Sequence, residues 1–115
     1  MINNNVYFIK LNIEVHMAKD NTQMTTEDMQ QTIYKELGYK SYPFPFTTPA
    51  YLEAYGTLVG LKPPAAKTAR VLELGATYGG NIISQAAHNS EANFVGIELS
   101  QDQVEKGNKI IGDSK

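Results

Sequence analysis

The chain has 115 residues, 42% of them hydrophobic and 19% charged, a balance that fits one soluble globular domain at most and not a disordered chain. A net charge of -2 gives no general electrostatic reason to bind nucleic acid or an anionic membrane. The absence of cysteine excludes disulfides, thiolate metal sites and a cysteine nucleophile. His16 and His88 lie too far apart for metal-ligand spacing and read as ordinary histidines. No run nears the ~20 apolar residues that a membrane span needs. The apolar stretch from Val6 to Val15 is interrupted by Lys10, Asn12 and Glu14, and it lacks the basic start and small-residue cleavage site of a signal peptide. The expected compartment is the cytoplasm.

Taken in chain order, residues 1–24 are the least interpretable. Ile9, Leu11, Ile13 and Val15 alternate with polar residues as in a half-buried strand, but no hairpin turn follows to supply a partner. This stretch is expected to be an upstream extension or a mobile arm. Residues 25–67 form a helical and proline-aromatic cap segment. Thr25 with Asp28 resembles a weak capping box; Met29, Ile33 and Leu37 share a helical face, and Gly38 supplies a stop. Pro43 and Pro45, at alternate positions, then forbid a helix and favour extended backbone. Thr48 reads as an N-cap with Pro49 at the first helical position, opening a helix to about Val59 that presents Leu52, Tyr55 and Val59 as its apolar face. Lys62 to Lys67 is a linker.

Residues 68–115 change character. Val71 to Leu74 reads as a buried strand, Gly75 to Gly80 as a glycine-rich turn, and Asn81 to Ala87 as a helix. Phe94 to Leu99 is a second strand, and Ser100 with Gln103 forms a capping box for a helix reaching about Ile111. A β-α-β-α order of this kind starts a parallel α/β sheet.

The chemistry lies in Glu73-Leu74-Gly75-Ala76-Thr77-Tyr78-Gly79-Gly80, placed after a strand and before a helix. Gly75 permits the sharp turn, and Gly79 is expected to let a ligand approach the backbone. The crevice beyond the carboxyl ends of such strands is where open α/β sheets bind ligands. At the end of the second strand, the Glu98 carboxylate is suited to accept hydrogen bonds from both hydroxyls of a ribose; alternatively it is a solvated strand end. A dinucleotide fingerprint requires a second glycine where Thr77 stands, so the pyrophosphate-binding pattern is absent. The wider E-x-G-x-x-x-G turn suits a cofactor without phosphate whose methionine portion carries an amino group. Glu73 is placed to attract that ammonium, directly or through water. The pattern points to S-adenosylmethionine.

On these residues the chain resembles the class I methyltransferases. Val71 to Asn81 looks like that family's first motif, and Phe94 to Ser100 like its second-strand motif. Ser41-Tyr42-Pro43-Phe44-Pro45 with Thr47 and Pro49, then Gly60-Leu61-Lys62-Pro63-Pro64, is similar to a bacterial subgroup whose members often carry a regulatory domain after the methyltransferase domain. The subgroup commonly has a small residue where Tyr78 stands and a histidine where Thr48 stands. The resemblance implies an α/β, Rossmann-like fold of which residues 30–112 form the amino-terminal part, with an incomplete sheet. It implies S-adenosylmethionine as cofactor, bound by Glu73, Gly75, Ala76, Gly79 and Glu98, and methyl transfer to an unidentified acceptor.

The family's later strands, and the substrate elements they carry, are not in this sequence, so the chain is expected to be truncated and inactive alone. The Val71–Leu74 strand is expected to keep an open edge, and the unit to be marginal, dimeric or completed by a partner chain. No catalytic acid or base is named, because methyl transfer depends largely on proximity and alignment. Asn81 either lines the pocket or begins the helix. Tyr34, Tyr39, Tyr42 and Phe44 form either an aromatic lid or a packing surface. Two other classes stay open: a non-enzymatic interaction or regulatory half-domain, and a fragment of a nucleotide-binding oxidoreductase.

Overall fold

Residues that alternate between an apolar core and the opposite face build three strands in the computed structural model, which describes residues 5–11 and 40–114. The strands are β1 (Val6–Lys10), β2 (Arg70–Leu74) and β3 (Asn93–Glu98). The helices are α1 (Pro49–Leu58), α2 (Ile82–His88) and α3 (Gln101–Asp113), with single 3-10 turns at Pro45–Thr47 and Ala66–Thr68. The expected helix from Thr25 to Leu37, and with it Tyr34 and Tyr39, lies outside the described residues.

The order β2-α2-β3-α3 is the expected one, and both strand pairs are parallel. The sheet order is β1-β3-β2, so a third strand comes from the amino-terminal stretch. For Val6–Lys10 this replaces the mobile-arm alternative with a docked strand. The strand also starts earlier than the alternation from Ile9 to Val15 suggested. Two bonds fix it in place at its start: the Asn5 carbonyl accepts from Phe94 N at 2.7 Å, and Asn5 Nδ2 donates to the Ala92 carbonyl at 2.6 Å. The same amide also reaches the carbonyls of Asn89 and Ser90. The Asn5 side chain therefore ties β1 to the loop that delivers β3.

Helices α2 and α3 pack on one face of the sheet. The core there comprises Val6, Ala76, Ile82, Ile83, Ala86, Ala92, Phe94 and Ile111, with Phe8 and Val71 at its border. Phe94 is fully buried at its centre, a position that contributes about 1.5–3 kcal/mol relative to an exposed ring. On the opposite face Ile9, Leu72 and Leu74 are exposed, Leu74 to 72%. Among the described residues no strand pairs with the outer edge of β2, as expected for an incomplete sheet.

Helix α1 departs from expectation in its packing. Thr48 caps it, accepting from Tyr51 N at 3.4 Å with Pro49 at the first position, and Gly60 ends the turn at φ +85°. However, its buried residues are Pro49 and Gly56, while Leu52, Tyr55 and Val59 are exposed. Glu53 anchors the helix by accepting from Ala66 N at 2.8 Å. At α3 the expected capping box does not form: Ser100 makes no side-chain cap bond, and Gln103 is buried instead of reaching back. Among the described residues no helix is long and apolar enough to cross a membrane, and no cluster of three or more His, Asp or Glu could hold a metal.

Replacing Asn5 with alanine leaves the Ala92 carbonyl without its donor. We expect a loss of about 1–3 kcal/mol in urea unfolding, the usual cost of an unsatisfied buried group. A change within experimental error would show that β1 is not held by this clamp.

Candidate cofactor site

The site is built where β2 and β3 end side by side. β2 delivers Glu73 and then turns; β3 delivers Glu98 at the same edge. Between them the turn from Gly75 to Gly80 crosses back toward α2. Gly75 N and Ala76 N both donate to the Ile97 carbonyl, at 2.8 and 3.1 Å, so β3 pins the start of the turn. Gly79 N donates to the Ala76 carbonyl at 2.9 Å, closing the loop on itself.

Three residues in this turn have positive φ: Gly75 at +70°, Thr77 at +50° and Gly79 at +92°. The conformation suits glycine but costs a β-branched residue about 1–2 kcal/mol. Two bonds offset that cost at Thr77. Its N–H donates to Glu98 Oε2 at 2.9 Å, and its hydroxyl donates to Ser41 Oγ at 2.7 Å.

Glu98 therefore does not project freely into the crevice. It is 2% exposed, and its carboxylate accepts three backbone N–H groups: Thr77 on Oε2, and Leu99 (2.7 Å) and Ser100 (3.0 Å) on Oε1. Two acceptor positions of Oε1 are filled, and one remains on Oε2.

Glu73 is the opposite case. Its Oε1 accepts from Asn81 Nδ2 at 2.8 Å, but Oε2 is buried with no hydrogen-bond partner. Burial pushes the Glu73 carboxyl above its ordinary value of 4.5, while the Asn81 amide and the Ile82 N–H, which lies nearby without completing a hydrogen bond, pull it down. An unpaired carboxylate oxygen in a low-dielectric crevice is costly, and an ammonium group is the partner that best removes the cost.

The two glycines differ from expectation in what surrounds them. A Cβ on Gly75 would meet nothing within 4 Å, so the backbone there borders open space. A Cβ on Gly79 would stand 2.6 Å from both Ile83 Cδ1 and Phe8 Cζ. Gly79 thus serves its positive φ and core packing, not the ligand approach expected of it. Ala76 is buried beneath the turn, 3% exposed.

The proline-aromatic segment folds onto the turn, and the residues that do this were not apparent from sequence. Ser41 Oγ accepts from Gly80 N at 2.7 Å, and a Cβ on Gly80 would strike the Ser41 carbonyl. The Tyr78 hydroxyl reaches the same segment, accepting from Ser41 N at 3.1 Å. Asn81 Oδ1 accepts from Phe44 N at 2.8 Å and from Gln85 Nε2 at 2.8 Å, while Gln85 Nε2 also reaches Thr47 Oγ1 at 2.9 Å. Asn81 therefore joins Glu73 to the cap segment while also preceding α2. The side chains of Tyr42 and Phe44 are exposed.

Residues 67–115 match the family Methyltransf_4, described as "Putative methyltransferase". The chain is 41% identical over 78 residues to protein RP789 of Rickettsia prowazekii (strain Madrid E), and 38% identical over 82 residues to RP028 of the same organism. These alignments cover 68% and 71% of this chain but 14% and 33% of the relatives, so the chain spans a third or less of the curated proteins it matches. The structure of PKMT2 from Rickettsia typhi in complex with AdoHcy superposes with a TM-score of 0.62 and 38% identity, covering 66% of this chain and 15% of that one. The structure of PKMT2 described without that ligand matches to the same degree. The parallel β-α-β-α unit, its glycine turn and these likenesses together show part of a class I methyltransferase fold.

Proposed function

We propose that this chain provides the cofactor-binding portion of an S-adenosylmethionine-dependent methyltransferase, acting on an acceptor selected by elements outside it. The observation that carries the reading is the buried, unpartnered Oε2 of Glu73 at the carboxyl end of β2. Two residues further on, the Gly75 backbone borders open space, where a ligand would approach before reaching the buried oxygen. The likeness to an AdoHcy-bound methyltransferase supports the same cofactor.

In this reading Glu73 accepts from the amino group of the methionine portion. Glu98 uses the remaining acceptor position of Oε2 for a ribose hydroxyl and keeps Thr77 in place with the other. Gly75 presents backbone to the ligand. Ala76 and Gly79, whose N–H groups are bonded to the Ile97 and Ala76 carbonyls, shape the turn. The cofactor supplies a methyl group on a sulfonium, already activated for transfer. The part of the protein that binds the acceptor would pack against the open edge of β2 and the exposed face carrying Leu72 and Leu74. The oxidoreductase alternative is less favoured: the N–H groups of Gly75, Ala76, Thr77, Gly79 and Gly80 are all bonded within the protein, leaving none of these to cradle a pyrophosphate.

Calorimetric titration of S-adenosylmethionine into this chain tests the reading. Glu73→Gln keeps an acceptor for Asn81 and removes the charge, so we expect it to weaken binding by about 1.5–3 kcal/mol. Absence of binding by the unsubstituted chain would overturn the proposal, and equal binding by both would remove Glu73 from the site.

The same substitution has a signature without ligand. A carboxyl whose pKa is raised on folding favours the folded state when protonated. Its contribution is fully present below 4.5 and is lost as pH rises through the higher folded value. The urea midpoint of the unsubstituted chain should therefore fall relative to Glu73→Gln as pH increases from 4.5, then run parallel to it. Parallel curves throughout would show that Glu73 is not desolvated in solution.

A further inference from the structure

A side chain from the amino-terminal strand reaches the underside of the glycine turn. Phe8 is the register partner of Gly96, on the helix-covered face of the sheet. Its ring fills a slot that three glycines from three separate elements leave open. A Cβ on Gly79 would stand 2.6 Å from Phe8 Cζ, one on Gly107 of α3 would stand 2.9 Å from the same atom, and one on Gly96 would stand 3.3 Å from Cε1. Carbon atoms cannot approach to the first two distances, so a larger residue at either position would displace the ring or its own element.

Gly79 is also required by its backbone, because its φ is positive. Gly96 and Gly107 have no such requirement. They sit inside a strand and inside a helix, where glycine is disfavoured relative to alanine. Their common feature is that both line the Phe8 ring; Gly96 also lies against the turn itself, where its Cβ would stand 2.9 Å from the Ala76 Cβ. The ring in turn touches the volume beneath Gly79, in the middle of the turn that carries Gly75 and Thr77.

We infer that Phe8 is a positioning residue for the cofactor turn: docking of β1 through this ring holds Gly79 in its left-handed conformation and so sets the affinity of the turn for its ligand. The ligand part of this inference rests on the cofactor reading above; the ordering of the turn by the ring does not. With the ring removed, Ile83 alone fills the space under Gly79, and the turn samples other conformations. Apparent affinity then falls in proportion to the fraction of molecules with the turn in place.

Three measurements on the whole chain test this. First, Gly107→Ala should lower the melting temperature when Phe8 is present and raise it in a Phe8→Ala or Phe8→Leu background, where helix preference alone acts. Second, Phe8→Leu, which preserves an apolar side chain should Phe8→Ala not fold, should speed hydrogen exchange at the Ala76 and Gly79 amides by about tenfold or more. Amides in the β2–β3 ladder should change less, because a local opening exposes only the amides within it. Third, Phe8→Ala should weaken S-adenosylmethionine binding about tenfold, with Phe8→Leu between it and the unsubstituted chain, the drop expected if about a tenth of molecules retain the turn. If Gly107→Ala raises the melting temperature in every background, the ring does not occupy the slot and the inference fails. It fails equally if the Gly79 amide exchanges no faster without the ring, or if affinity is unchanged in folded Phe8 variants. If the unsubstituted chain binds no cofactor while the first two results hold, the cofactor reading falls and the ordering of the turn by Phe8 stands.

Discussion

Three left-handed residues within five positions are difficult to hold in any chain, and the fold depends on holding them. The turn after β2 would relax if its N–H groups were left to water. It is kept in place from two sides. The carbonyl of Ile97 takes two of its N–H groups, and the buried Glu98 carboxylate takes a third, at the one residue where the conformation is sterically unfavourable. Glu98 thus acts first as an internal anion that organises backbone, with Leu99 and Ser100 completing its shell. A charge satisfied by backbone N–H groups is well suited to this, since each such bond is stronger than a neutral one and cannot rotate away.

Against that rigid turn, Glu73 is deliberately incomplete in its bonding. Asn81 occupies one oxygen and leaves the other without a donor, while Phe44, Thr47 and Gln85 converge on Asn81 from the far side. The cap segment and the floor of the crevice share one network. Movement of residues 41–47 would therefore be felt at Glu73 through a single amide, and a ligand at Glu73 would be felt in the cap segment. Ser41, Thr77 and Tyr78 form a second link of the same kind.

The β-α-β-α order and the edge at which the site forms were legible from sequence because the signals are local. Hydrophobic runs, glycines and the spacing of Glu73 and Glu98 all fall within thirty residues. β1 was not legible as a docked strand, because its partner lies at the other end of the chain and its own alternation continues into Asn12 and Glu14. One clue was present: Gly96 inside a strand signals close approach by neighbours, and these are the Ala76 Cβ and the Phe8 ring. The left-handed Thr77 ran against residue preference, so only tertiary bonds reveal it. The bonds of Ser41 to the turn involve neighbours thirty-six to thirty-nine positions away and carry no periodic signature. The exposed face of α1 departed from its helical spacing because an apolar stripe shows which side can be buried, not whether a neighbour is there.

The pairing of Val6 with Phe94 also orders events in time. During synthesis β1 emerges before every other described element, and its neighbour in the sheet, β3, follows only after β2 and α2. Its hydrogen-bonding edges and Ile9 must wait, solvated, while the chain between is made. Contacts this distant in sequence close late and slow a fold's acquisition. β1 therefore leaves the ribosome well before β3 can secure it, and that interval is when the nascent chain is most open to wrong pairings.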